Sequence, residues 1–184
     1  MNTTQGEYTT TAKWLHWLMA ALIALAWLIG FYVSDLPKGP EKAAIMAWHK
    51  GLGTAVLALI TVRLAWRLLH PPPRLPDTLS PGLQRAAHSA HWTLYGLMIA
   101  QPLSGWVVSS ANGYPVKLFG LITLPALVEK NEVLAQTFVE IHEFLGWGLA
   151  LLVVGHVVMA IKHHHVDRNG ILHRMLPGRR PTSD

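Results

Sequence analysis

Not one of the 184 residues is cysteine. That absence excludes disulfides, thiolate metal sites, iron–sulfur clusters and the thioether attachment of a porphyrin through C-x-x-C-H. Any cofactor must therefore be held by histidines or oxygens. Charge is scarce too: only 14% of the chain is Asp, Glu, Lys or Arg, whereas 51% is hydrophobic. A composition this apolar points to lipid as the surrounding solvent. Internal repeats are absent, and low complexity is confined to HPPPRLP at 70–76.

Four stretches are long and apolar enough for a transmembrane helix, which needs about 20 mainly apolar residues to cross roughly 30 Å of hydrocarbon. They run over 14–33, 45–68, 88–110 and 140–161. The first continues apolar through Leu36 with no small-residue cleavage pattern, so it is expected to remain in the mature chain. The proline cluster at 70–76 ends the second helix and forms a stiff connector. LFGLITLPALV at 118–128 is too short to span, contains Gly120 and Pro125, and reads as an interfacial loop. The expected fold is an all-α, integral-membrane four-helix bundle forming a single domain over 1–184.

An even number of spans puts both termini on one side, and Lys and Arg say which. Ten lie at the N-terminus, the second connector or the C-terminus: Lys13, Arg63, Arg67, Arg74, Arg85, Lys162, Arg168, Arg174, Arg179 and Arg180. Lys38, Lys42, Lys50, Lys117 and Lys130 lie opposite, mixed with six carboxylates. Ten against five places both termini in the cytoplasm. The net charge of +5 is then a topology signal, with no nucleic-acid partner implied. Trp14, Trp17, Trp48, Trp66, Trp92 and Trp147 near span ends fit interfacial anchors.

Histidines now acquire depth. His142 and His156 are fourteen residues apart. That spacing advances a helix by about 21 Å and falls about 40° short of four full turns, so both look out from nearly one face. Polar groups inside a span usually face the bundle interior with a partner or a function. The pair is too far apart to share a zinc ion. A haem iron accepts one imidazole from each side, so each level needs a second histidine from another helix. His49 matches His142 in the outer half and His16 matches His156 in the inner half; His91, also at inner depth, could stand in for His16. Arg63 follows His49 by fourteen residues, suited either to a haem propionate or to snorkelling into headgroups. Gly51, Gly53, Gly146 and Gly155 beside these histidines would let a flat macrocycle, or another helix, come close.

KWLHWL, AWHKGLG, VRLAWRLLHPPP, HSAHW, VEIHEFLGW, VGHVVMAIKHHH and NGILHRMLPGRR, in this order and spacing, resemble the bacterial cytochrome b561 family over nearly the whole chain. The resemblance implies a multi-pass protein of the bacterial inner membrane with two non-covalent b haems. Their ligands would be His16 with His156 and His49 with His142, the family pattern favouring His16 over His91. It further implies electron transfer between the outer face and the quinone pool, with ubiquinone as partner and, in some members, superoxide as donor. His163, His164 and Arg67 are the candidates for a quinone site. The blander reading of KHHH is a basic run against headgroups. Steering of superoxide gains nothing from the outer segments, whose five basic and six acidic residues sum to minus one. Two other functions fit: a haem-bearing anchor linking quinone to a dehydrogenase partner, and a histidine-dependent metal or proton transporter.

Overall fold

The computed structural model describes residues 7–76 and 79–178. Arg179 and Arg180, counted above for orientation, lie outside them. Four long helices follow in order: α1 over Thr10–Asp35, α2 over Pro40–Leu69, α3 over Pro81–Ala111 and α4 over Glu132–His165. Each expected span lies inside one of them. The helices overrun the spans because polar caps start them outside the apolar run. Thr9 Oγ1 accepts from Ala12 N, Ser80 Oγ from Leu83 N and Asn131 Oδ1 from Leu134 N, satisfying orphan N–H groups in each first turn. Pro40 and Pro81 sit at helix starts, where the missing N–H costs nothing.

Three of the four, α1, α2 and α4, are long and apolar enough to cross a membrane among the described residues. α3 matches them in length, but Gln101, Ser104, Ser109 and Ser110 dilute its outer half. Those three serines are buried, so α3 turns its polar side chains inward.

The bundle is two helical hairpins. α1 packs along α2, α3 along α4, and α2 joins the hairpins through α3. α1 and α4 approach through rings, with the Trp27 and Trp147 centroids 5.4 Å apart. Between the outer and inner histidine levels lies the core: Met19, Val56, Ile60, Leu94, Tyr95, Met98 and Leu149.

The outer connector corrects the expectation of a plain loop. β1 (Val116–Leu118) and β2 (Ile122–Leu124) form an antiparallel hairpin in which Lys117 faces Thr123. Its turn uses Phe119 at φ 47° and Gly120 at φ 77°; only glycine occupies the left-handed region without strain. The hairpin rests on α2, where a Cβ on Gly51 would lie 2.8 Å from Phe119 Cδ1. Gly51 thus makes room for the hairpin, not for a macrocycle.

At the inner end the chain folds back over its own helices. Trp17 Nε1 donates to Met175 O at 2.9 Å, and Arg174 Nη1 donates to Arg74 O at 2.8 Å. Lys162 and His163 both reach Asp167, at 2.8 and 2.6 Å. Donation from Lys162 and then His163 holds the Asp167 carboxyl below the usual carboxylate range. The clasp is therefore present above that range and is lost as pH falls through the lowered value. Asp167→Asn should fray the last turn of α4, read as faster amide exchange over 162–166 at neutral pH, with little effect on the bundle.

Candidate haem site

The structure brings the four histidines together in the pairs their depths suggested. The His49 and His142 ring centroids are 6.1 Å apart, and those of His16 and His156 are 6.2 Å apart. Each pair takes one ring from the α1–α2 hairpin and one from α4. Metal–imidazole bonds of about 2.0 Å, with each ring centre roughly 1.1 Å beyond its nitrogen, set two axial imidazoles roughly 6.2 Å apart. Both pairs fit an iron placed between them. His91 and His156 are closer, at 5.5 Å, and would have to separate to admit one.

The outer pair is fixed by one device used twice. His49 Nδ1 lies 3.0 Å from Ala26 O on α1, and His142 Nδ1 lies 3.0 Å from Gln101 O on α3. A carbonyl only accepts, so both rings carry hydrogen on Nδ1 and present the Nε2 lone pair. Such a bond from the far nitrogen is what orients a metal-bound histidine. Four residues beyond each carbonyl stands a glycine. A Cβ on Gly30 would be 2.8 Å from His49 Cε1, and one on Gly105 would be 2.9 Å from His142 Cε1. In a helix the carbonyl of residue i points at the N–H of i+4, so a side chain there would block a lateral approach. Within each hairpin, the first helix cradles the second helix's histidine.

Ser104 Oγ donates to Gln101 O at 2.7 Å and lies 2.9 Å from His142 Nδ1. The Gln101 amide Nε2 sits 3.3 Å from His142 Nε2, on the lone pair that a metal would need. Its Oε1 is buried with no hydrogen-bond partner among the described residues. An orphaned acceptor beside a capped lone pair marks a position built for another group.

The inner level is set differently. Arg63 Nη2 lies 3.0 Å from His16 Nδ1, and Arg63 Nε donates to Tyr95 OH at 3.3 Å. A guanidinium only donates, so here His16 Nδ1 accepts. For His16 to ligate through Nε2 its hydrogen must return to Nδ1, which would free the Arg63 guanidinium to donate elsewhere.

The quinone candidates are divided. His163 Nδ1 is held by Asp167 at 2.6 Å, and the His164 ring stacks edge-on with His165 and His173, each at 4.6 Å. Arg67 lies over Trp92 and Tyr95, at 5.7 and 5.4 Å, and lines a cavity to which neither histidine contributes. Among the described residues no group of three or more His, Asp or Glu is arranged to hold a free metal ion.

The sequence did not reveal Ala26, Gly30, Gln101, Ser104 and Gly105. Two are backbone acceptors, which any residue supplies. The available signal was a glycine in the outer part of α1 and of α3, at the depth of the outer histidines. Of the glycines singled out instead, Gly146 accommodates Gln101, whose Nε2 would lie 3.1 Å from its Cβ; Gly53 has only Pro102 at 3.9 Å, and Gly155 has no atom within 4 Å.

Comparison with known proteins places the chain in a family. The profile of a family described as prokaryotic cytochrome b561 matches residues 7–178. Cytochrome b561 homolog 2 of Escherichia coli K12 is 31% identical, over 94% of this chain and 93% of the relative. The probable superoxide oxidase CybB of Yersinia pestis is 32% identical, over 95% and 98%. Cytochrome b561 homolog 1 of Escherichia coli K12 is 25% identical, over 95% and 99%. This chain therefore belongs to the prokaryotic cytochrome b561 family, multi-pass proteins of the bacterial inner membrane that bind b-type haem and transfer electrons.

Proposed function

We propose that the chain carries electrons between the outer face of the membrane and the quinone pool through two b haems, the outer held by His49 and His142 and the inner by His16 and His156. The observation that carries this reading is the pair of imidazole separations, 6.1 and 6.2 Å, at two depths of one bundle. Haem supplies a one-electron carrier at each level. With one imidazole of each pair on either side, the iron would be fully held by the protein, which suits electron transfer and not the binding of dioxygen.

The remaining residues position and tune. Ala26 O, Gln101 O and Ser104 Oγ hold the outer imidazoles and raise their basicity. With haem bound, Gln101 would have to leave His142 Nε2, and Arg63 would be free to hold a haem carboxylate in place of His16 Nδ1. Reducing a quinone to a quinol takes two electrons and two protons, so a proton-exchanging group belongs beside it. His163, anchored by Asp167 at the inner end of α4, is that candidate, with His164 next to it; Arg67 lies apart in its own cavity.

A narrower reading takes superoxide as the donor, favoured by the relative from Yersinia pestis. Two superoxide anions would give two dioxygen molecules and the two electrons. Lys50, next to His49 in sequence and 5.3 Å from the Tyr114 ring centre, is the outer cation best placed to meet an anion.

The test is a reduced-minus-oxidised spectrum of the purified chain with haem quantification, followed by superoxide and quinol as alternative donors. Two low-spin haems per chain and quinone reduction by the isolated protein are expected. A single haem would overturn the proposal, and a stoichiometric dehydrogenase required for turnover would identify an anchor subunit. His91→Ala should retain both haems. Loss of the inner one would move the inner ligand from His16 to His91.

A further inference from the structure

The inner cavity that Arg67 lines is large, about 690 Å³, and none of the four paired histidines lines it, although His91, whose ring is 5.5 Å from that of His156, does. Its walls come from the chain entering α1, the end of α2, the proline connector and the first turns of α3; Tyr8, Arg67, Arg74, Gln84, Arg85, His88, Ser89 and His91 supply the polar groups. Among the described residues no carboxylate lines it. The two acidic residues described on this face are engaged elsewhere, Glu7 with Lys13 at 2.7 Å and Asp167 with Lys162 and His163. None of the three guanidiniums has an acidic partner among the described residues.

Arg67 is half-buried, whereas Arg74 and Arg85 are exposed. Arg67 is stacked over Trp92 and Tyr95, which fixes its plane without consuming its donors. The backbone carrying Arg74 is pinned by the bond from Arg174 to its carbonyl. His88 Nε2 accepts from Trp92 Nε1 at 3.0 Å, which puts its hydrogen on Nδ1. Burial pushes the Tyr8 phenol above its usual pKa, so it stays a neutral donor. The start of α3 adds its positive dipole end at Pro81, Gln84 and Arg85.

Three guanidiniums lining one cavity without a counter-charge among the described residues repel one another, and a neutral quinone carbonyl would not offset them. A phosphate would, because its oxygens match paired N–H donors and bring up to two negative charges. We infer that this cavity is a phosphate-binding site, occupied by the headgroup phosphate of an anionic glycerophospholipid or by a free phosphate ester.

The test uses the full-length, haem-loaded protein, delipidated in neutral detergent, with Trp fluorescence and native mass spectrometry as readouts. Phosphatidylglycerol should bind at least about tenfold more tightly than phosphatidylcholine, the range of a charge-assisted contact. Arg74→Gln with Arg85→Gln should abolish that preference with haem content unchanged, while Arg85→Lys, which keeps the charge, should retain most of it. Competition by inorganic phosphate or glycerol phosphate at millimolar levels assigns the site to free phosphates. Phosphatidylglycerol binding that resists them assigns it to lipid. Equal binding of the two lipids with no phosphate binding overturns the inference. So does loss of the inner haem in the arginine variants, which would mean that the cavity serves porphyrin carboxylates.

Discussion

Replacing His142 with alanine is expected to remove the outer haem, leave one haem per chain, and stop electron flow across the membrane. His142 lies 6.1 Å from His49 and is bonded at Nδ1 to Gln101 O. Alanine would delete the proposed ligand, the ring that lies against Gly105 and Gln101. His49→Ala should lose the same haem, whereas His16→Ala and His156→Ala should each lose the other. The measurement is haem per chain combined with a redox titration, in which each variant shows one component and the two pairs leave different ones. The surviving carrier cannot substitute, because the levels are separated by about 21 Å of helix. If His142→Ala keeps both haems, or His16→Ala and His49→Ala lose the same one, the pairing is wrong.

Gly30→Ala should loosen the outer haem by about ten- to a hundredfold, the usual cost of disturbing a ligand's supporting contacts. The added methyl would meet His49 Cε1 at 2.8 Å. An isolated ring at the end of a flexible side chain would simply move aside. This ring is tied to Ala26 O at 3.0 Å, and the clash and the tie come from positions one turn apart on the same helix. Retreating from Gly30 therefore breaks the bond that sets the tautomer. Gly105→Ala should act in the same way on His142, whose Cε1 would lie 2.9 Å away. Gly148→Ala, with nothing within 4 Å, is the control that should leave haem affinity unchanged. Haem dissociation to an apo-protein scavenger measures all three; equal off-rates would show that the glycines are bystanders.

Sequence carried the histidine geometry well because one helical repeat explains it. Fourteen residues return a side chain to nearly the same face, and depth in the bilayer does the rest. The spans were legible from apolar length, and their extensions were not, since caps at Thr9, Ser80 and Asn131 depend on local backbone shape. The hairpin at 116–124 was missed because three-residue strands carry too few alternations to register against an apolar loop. The ligand supports at Ala26 and Gln101 were invisible for a different reason: a backbone carbonyl has no residue type. Nor could the arginine cavity be read along the chain, because its walls come from four separate segments that only folding assembles. Arg67 was consequently grouped with His163 and His164, from which the fold separates it.

His142 and His156 both belong to α4, which is made after α1, α2 and α3. On the proposed pairing, neither clamp could close on a nascent chain whose α4 is still in the translocon. Cofactor capture would then wait for α4, and a polypeptide stalled after α3 would carry two half-sites and no pigment.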